Sequence, residues 1–174
     1  MKYTANQIAA MTGEPNDGIN SLRASVIARI RRGDLHPVGE YLKEGAKMPE
    51  PTFDLSGVCI FKVLFELARI GCPSGNELAQ GALQAMTNWS IIRPQVADYA
   101  RPIDWAMAHI RAGGDVALAI YTCKQGPEVC IVSAIFDAGA PLIPRYPVIR
   151  IAISLTDVLA HILSTADYSD QAIQ

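Results

Sequence analysis

The amino-acid sequence predicts an α+β protein, in which a helical N-terminal half precedes a C-terminal half made of a helix and an antiparallel sheet. Three observations support this prediction. In the first half, apolar residues recur at helical spacing behind residues that typically cap helices. Near the C-terminus, a short Gly-Pro segment separates two apolar runs, which is typical of a β-hairpin. Half of the 174 residues are hydrophobic, so the chain can bury a core.

The first segment, residues 4–32, has the pattern of a helix-turn-helix. Thr4 and Gln7 match a capping box, in which each side chain satisfies an amide at the start of a helix. We therefore predict a short helix over 5–11, followed by a turn in which Gly13 adopts a positive φ. An ordinary helical hairpin is the alternative interpretation of this pattern.

A longer second helix is predicted next, with Asn16 as its N-cap and Gly33 as the glycine that ends it. In helical projection its apolar residues fall in one arc about 140° wide. They are Ile19, Leu22, Val26, Ile27 and Ile30. The opposite side is polar or small, which suits close approach to a base edge or a phosphate. Arg23 lies at the edge of the apolar arc, so it must reach outward or pair.

Positive charge is concentrated in this segment, although the net charge of the chain is −2. Residues 1–48 contain seven Lys and Arg against five Asp and Glu. Four of the arginines fall between Arg23 and Arg32, a stretch without an acid. Phosphate contacts require such a local concentration rather than a high total charge. A solvated helix face is the alternative.

The stretch from Asp34 to Pro51 predicts a wing, which is a β-hairpin beside the second helix. Lys43 and Lys47 lie in this stretch, where they would touch the DNA backbone beside the site read by the helix. The composition around residues 44–51 is also that of a mobile linker, which is the alternative.

Two further helices complete the first half. Residues 53–70 are so apolar that the helix they predict must be covered on most sides. Asp54 or Ser56 is expected to cap it. A second capping box, starting at Ser74, predicts a helix that continues to about Asn88.

These features occur in a recognisable order. The helix-turn-helix is followed by Arg-Arg-Gly-Asp-Leu-His-Pro over 31–37, a wing ending in Phe-Asp-Leu-Ser over 53–56, and an apolar helix ending in Ala-Arg-Ile-Gly over 68–71. A new helix then begins at Ser74. Over about the first half of the chain, this order resembles the MerR-like winged-helix family. The sequence departs from the family where Asn20 replaces an arginine, and in a longer segment before the Arg-Arg-Gly.

The resemblance implies sequence-specific binding of double-stranded DNA by a dimer. We predict a winged helix-turn-helix DNA-binding domain over 1–89 and an α+β domain for dimerisation or ligand sensing over 90–174. Asparagine and arginine are the side chains that make bidentate contacts to adenine and guanine. The expected DNA-binding residues are Thr4, Asn16, Asn20, Ser21, Arg23, Ala24, Arg29, Arg31, Arg32, Lys43 and Lys47.

The second half is predicted as a small α+β unit. A helix over 102–112, with Pro102 in its first turn, is expected to face inward through Trp105, Ala108 and His109, with Ile103 as a further candidate. Strands are predicted over 116–123, 128–136 and 148–153. A final helix over 155–164, capped by Ser154 or Thr156, is followed by a frayed tail over 166–174.

The sequence contains no convergent set of catalytic groups, so an enzyme, a metal site and a cofactor are not expected. His109 and His161 lie on amphipathic helices, where a structural role is the more common one, and His36 lies in the predicted wing. Cys123 and Cys130 flank the predicted hairpin, but two cysteines do not complete a zinc site. Reduced cysteines and the absence of an apolar leader or spanning run predict a cytoplasmic protein without a membrane partner.

The function we expect is therefore that of a bacterial or phage transcription regulator, such as a repressor, acting as a homodimer with a small-molecule effector as a further partner. Two alternatives belong to other classes. One is a phage-type DNA packaging or assembly protein with a helix-turn-helix. The other is a small enzyme or ligand-binding protein with its site in the C-terminal sheet.

Overall fold

The computed structural model describes residues 1–13, 17–73, 75–89, 98–125, 128–138 and 148–171. Helices and two antiparallel sheets of three strands each confirm the predicted α+β class. The chain divides into two compact units: unit 1 comprises Met1–Lys62 and Ser164–Gln174, and unit 2 comprises Val63–Leu163. Within the described residues, no helix is both long enough and apolar enough to span a membrane.

Unit 1 begins with a short strand and two helices: β1 (Tyr3–Thr4), α1 (Ala5–Thr12) and α2 (Ile19–Arg32). The predicted capping box at the start of α1 is confirmed. Thr4 N donates to Gln7 Oε1 at 2.8 Å, and Gln7 N donates to Thr4 Oγ1 at 3.4 Å.

The glycine between α1 and α2 does not turn the chain as predicted. Gly13 has a φ of −76°, a value open to any residue, so the prediction of a positive φ is wrong. What the position requires is space: a Cβ there would collide with the Leu22 side chain and lie 3.1 Å from Ala9 O. The small residue at position 13 therefore permits the close approach of the two helices.

Of the two predicted ends of α2, the N-terminal one is wrong and the C-terminal one is confirmed. The helix begins at Ile19 with Gly18 as its N-cap, so the prediction of Asn16 as N-cap is wrong, and Asn16 itself lies outside the described residues. At the other end, Gly33 has the predicted left-handed conformation, with φ at 78°. Gly33 N donates to Ile30 O, and Asp34 N donates to Arg29 O, which together form a Schellman motif.

After α2, the chain forms the hairpin of strands β2 (Gly39–Tyr41) and β3 (Glu50–Phe53). The strands are antiparallel, with Tyr41 opposite Glu50, and β1 pairs with the other edge of β3. The resulting sheet order is β1-β3-β2. A hairpin is thus present where the wing was predicted.

Helix α3 (Leu55–Arg69) starts in unit 1 and ends in unit 2. Of the two predicted caps, Asp54 is the one used, because Gly57 N donates to Asp54 Oδ1 at 2.8 Å. Phe53 and Phe61 are fully buried in unit 1. Lys62 Nζ donates to Thr12 O at 3.1 Å, which satisfies a carbonyl at the C-terminus of α1.

In unit 2, helices α4 (Glu77–Thr87) and α5 (Pro102–Arg111) contact the strands β4 (Val116–Gln125) and β5 (Glu128–Asp137). The capping residue of α4 is Asn76, whose Oδ1 accepts from Leu78 N at 2.8 Å. The predicted capping box opened by Ser74 is therefore wrong, and Ser74 lies outside the described residues.

The inward face of α5 also differs from the prediction. Pro102 occupies the first turn and Ile103 is buried, both as expected, but the other buried residues are Ala106 and Met107. Trp105, Ala108 and His109 were predicted to face inward and are only half-buried.

The sheet of unit 2 has the order β5-β4-β6, with β6 spanning Val148–Ser154. Both pairings are antiparallel, and a register shift at Ile120/Tyr121 interrupts the β4–β6 pairing. The following helix, α6 (Leu155–Gln171), is capped by Ser154, whose Oγ accepts from Asp157 N at 3.1 Å. Because α6 is helical through Gln171, the prediction of a frayed tail from Ala166 is wrong for residues 166–171.

The division into units differs from the predicted boundary between residues 89 and 90. It falls at Lys62/Val63 inside α3, and the C-terminal segment from Ser164 belongs to unit 1. The reason is packing: α4 lies against the sheet of unit 2, although it precedes that sheet by almost thirty residues in the sequence.

Candidate nucleic-acid interface

The first turns of α2 expose the residues that we expect to approach DNA bases. Asn20, Ser21, Arg23 and Ala24 are all exposed. Arg23, which the sequence left undecided between reaching outward and pairing, lies on the surface. Polar and small side chains at this end of a helix match the part of a recognition helix that contacts base edges.

The last turn of α2 adds two arginines that reach solvent. Arg31 is exposed. Arg32 is also exposed, but its Nε donates to Asp34 Oδ2 at 3.4 Å, so part of its charge is balanced within unit 1. Among the described residues, α2 itself contains no acidic side chain.

Among the predicted DNA-binding residues, Arg29 is one whose position in the structure contradicts the prediction. Its side chain is only 3 % exposed, with Nη1 3.7 Å from Asp34 Oδ2 and its guanidinium 5.9 Å from the centre of the Phe61 ring. Burial lowers the pKa of the Arg29 guanidinium; the charge of Asp34 opposes this shift, and the charge of Arg32 adds to it. The residue helps to hold α2 against the interior of unit 1, so the prediction that it contacts DNA is wrong.

The burial of Arg29 shows that α2 is rotated from its predicted orientation. The buried residues are Leu22, Val26 and Arg29, whereas Ile19, predicted to face inward, is 49 % exposed. At about 100° per residue, the buried arc is turned by roughly 60° from the apolar arc. Apolar periodicity misses this because a charged residue with a buried acidic partner can occupy an interior position.

Two other predicted residues do not add to the exposed surface. The hydroxyl of Thr4 is used in the capping box of α1, and the residue is half-buried. The structure therefore gives Thr4 the role of a helix cap. Asn16 lies outside the described residues, so the prediction for it stays a prediction.

The hairpin presents both predicted lysines at its tip. Lys43 and Lys47 are exposed. Ala46 N donates to Lys43 O at 2.9 Å, and Gly45 has a φ of 78°, so residues 43–46 form a tight turn that needs a glycine. Glu44 lies in the same turn and reduces its positive charge.

The hairpin also exposes apolar side chains that the sequence did not single out. Tyr41, Leu42 and Met48 are 52 %, 63 % and 77 % exposed. Exposed apolar side chains are common on protein surfaces, so these three residues by themselves assign no role to the hairpin. Their signal in the sequence was weak, because a strand of three residues is too short to show alternation.

In unit 2, described residues form a cluster around His109. His109 Nε2 lies 3.3 Å from Asp137 Oδ2, and the imidazole stacks on Trp105 with a centroid distance of 5.2 Å. A Cβ at Gly114 would collide with the His109 ring, so the glycine lets the chain pass close to it. The cluster joins the end of α5 to the end of β5, a structural role like the one expected for this histidine.

Among the residues that the structure describes, no three His, Cys, Asp or Glu side chains lie together in a way that could hold a metal ion. His36 and His161 are exposed. The two cysteines of the second sheet, Cys123 and Cys130, occupy opposed positions of β4 and β5.

Comparisons with protein-family models, with curated proteins and with solved structures gave no match. The resemblance to the MerR-like winged-helix family therefore stays a prediction from the motifs of the first half.

Proposed function

We propose that this protein is a sequence-specific, double-stranded-DNA-binding regulator of transcription, and that unit 1 is a winged helix-turn-helix. The order of β1, α1, α2 and the β2–β3 hairpin supports this assignment, as does the packing of α1 against α2. A regulator of this kind works in the cytoplasm.

The observation that carries the proposal is the exposed, acid-free surface of α2. Asn20, Arg23 and Arg31 are exposed on a helix whose other outward residues are largely small or polar. In this proposal Asn20, Ser21 and Arg23 reach base edges, while Arg31 contacts a phosphate. Lys43 and Lys47 contact the flanking backbone from the hairpin, and Arg32 contributes in part because Asp34 already balances it.

The test uses fluorescence anisotropy of the full chain with a labelled pool of random-sequence duplexes at several salt concentrations. Arg23→Ala combined with Arg31→Ala should weaken binding about tenfold or more, because a base contact and a phosphate contact are both lost, and should lower the salt slope by about one for the phosphate that Arg31 neutralises. Arg69→Ala is the matched control, since this exposed arginine on α3 already pairs with Glu66 at 3.5 Å. Its binding should equal that of the natural sequence.

Two results would overturn the proposal. One is the absence of duplex retention even at low salt. The other is equal binding by the double variant and the Arg69→Ala control.

We further propose that the regulator acts as a homodimer through unit 2, which also offers the surface for a small-molecule effector. Selection of sites from random DNA should then return a palindrome, because a two-fold dimer reads two inverted half-sites. The mass of the protein–DNA complex should correspond to two chains. A ring of many subunits would instead favour a packaging protein. If DNA binding needs no part of unit 2, the role of that unit would be to bind a separate ligand or to carry an enzymatic activity.

A further inference from the structure

Two cysteines of unit 2 occupy the same register position on neighbouring strands. Cys123 of β4 lies directly opposite Cys130 of β5, two pairs away from the Gln125–Glu128 pair that closes the hairpin. The other cysteines, Cys59 in α3 and Cys72 after it, are buried outside the sheet. Cys123 and Cys130 are therefore the two cysteines that this hairpin brings opposite each other.

The backbone geometry of such a pair suits a covalent link. Directly opposed residues of an antiparallel pair belong to the same face of the sheet. Their Cα atoms lie about 4.5 or 5.5 Å apart, depending on whether the pair is hydrogen-bonded. Both distances fall within the range of about 4.4–6.8 Å that separates the Cα atoms of disulfide-bonded cysteines.

Redox chemistry fits this pair better than metal binding. A structural zinc ion takes four protein ligands, and two opposed cysteines supply only half of that set. Two cysteines at opposed backbone positions need no third ligand from the protein to form a disulfide. They require only an oxidant, and a peroxide is the class that converts thiols stepwise through a sulfenic acid.

We propose that Cys123 and Cys130 form a reversible intrachain disulfide when the protein meets a peroxide. In the first step one thiol is oxidised by hydrogen peroxide to a sulfenic acid, and one water is released. The second thiol then attacks that sulfur, the S–O bond breaks, the S–S bond forms and a second water leaves. The two thiols lose two electrons in total, and a dithiol reductant reverses the reaction by exchange.

The experiment exposes the reduced full chain to hydrogen peroxide, blocks the remaining thiols with N-ethylmaleimide in denaturant, so that buried cysteines also react, and maps tryptic peptides by mass spectrometry. Cleavage after Lys124 separates the two cysteines, so the link joins peptide 112–124 to peptide 125–145. We expect this joined pair in the oxidised sample, its loss after dithiothreitol, and a monomer on non-reducing electrophoresis. Cys59 and Cys72 should carry N-ethylmaleimide.

Matched variants identify the partners. Cys59→Ser and Cys72→Ser should retain the link, whereas Cys123→Ser and Cys130→Ser should lose it. Full alkylation of Cys123 and Cys130 after peroxide would overturn the proposal, as would a link to Cys59, to Cys72 or to a second chain. Mapping of the natural sequence decides the question even if a variant fails to fold. No DNA is involved, so the outcome is independent of the proposed function.

Discussion

Asp34 links two arginines of α2 to the interior of unit 1. Its carboxylate is 6 % exposed and lies 3.7 Å from Arg29 Nη1 and 3.4 Å from Arg32 Nε. The Schellman motif at Gly33 brings this acid back over the last turn of the helix. A single buried acid thus determines which arginine is structural and which remains partly available to a ligand.

Asp34→Asn should lower the free energy of unfolding by about 3 kcal/mol, because it leaves the buried charge of Arg29 without its acid. Urea unfolding measures this difference. Glu44→Gln, an exposed acid of the hairpin turn, is the control and should change stability by less than about 0.5 kcal/mol. Equal effects of the two substitutions would contradict the structural role of Asp34.

Gly13→Ala tests the close approach of α1 and α2. The new Cβ meets the Leu22 side chain, and we expect a loss of about 1–3 kcal/mol in the free energy of unfolding from overpacking. In a Leu22→Val background the loss should be smaller, because the Cδ1 atom in the collision is absent. A double-mutant cycle measures this coupling. Equal losses in both backgrounds would show that the glycine serves another purpose.

At the scale of the secondary-structure element, more interactions fix the C-terminal end of α2 than its N-terminal end. Gly18 offers no side-chain cap to the first turn, whereas the last turn is closed by two backbone bonds and followed by the buried Asp34 and Leu35. The rotation of α2 is consistent with this anchoring, because Arg29 and Asp34 are held together at its C-terminal end.

Gly33→Ala should therefore destabilise the helix end, since an L side chain at a φ of 78° costs about 1 kcal/mol or more. Gly33→Asn should cost less, because asparagine tolerates the left-handed region. Thermal unfolding followed by circular dichroism compares the two variants. A loss for Asn as large as that for Ala would indicate that the positive φ is not what the site requires.

At the scale of the whole molecule, the two units are interleaved along the chain. Helix α6 starts in unit 2, and its C-terminal part belongs to unit 1, where Ala166 is only 1 % exposed. The N-terminal unit is consequently not a segment that can be cut from the sequence at one point.

A chain that ends at Trp89 should be less stable in α1 and α2 than the full chain, by at least about 1 kcal/mol, because it lacks residues 164–171 of unit 1. Hydrogen exchange of the amides in these helices measures the difference. A chain that ends at Gln171 retains every described residue and should exchange like the full chain. Unchanged protection in the shorter chain would show that unit 1 folds without the C-terminal segment.

Local chemistry determined much of this protein from its sequence. The Thr4–Gln7 box, Gly33 and the two apolar runs that form β4 and β5 act over a few residues, so their patterns predicted the observed elements. Tertiary structure alone decided the orientation of α2, the burial of Arg29, the space needed at Gly13 and the boundary inside α3. Each depends on groups distant in the sequence, such as Phe61 against Arg29, and no local pattern encodes which distant side chains will meet.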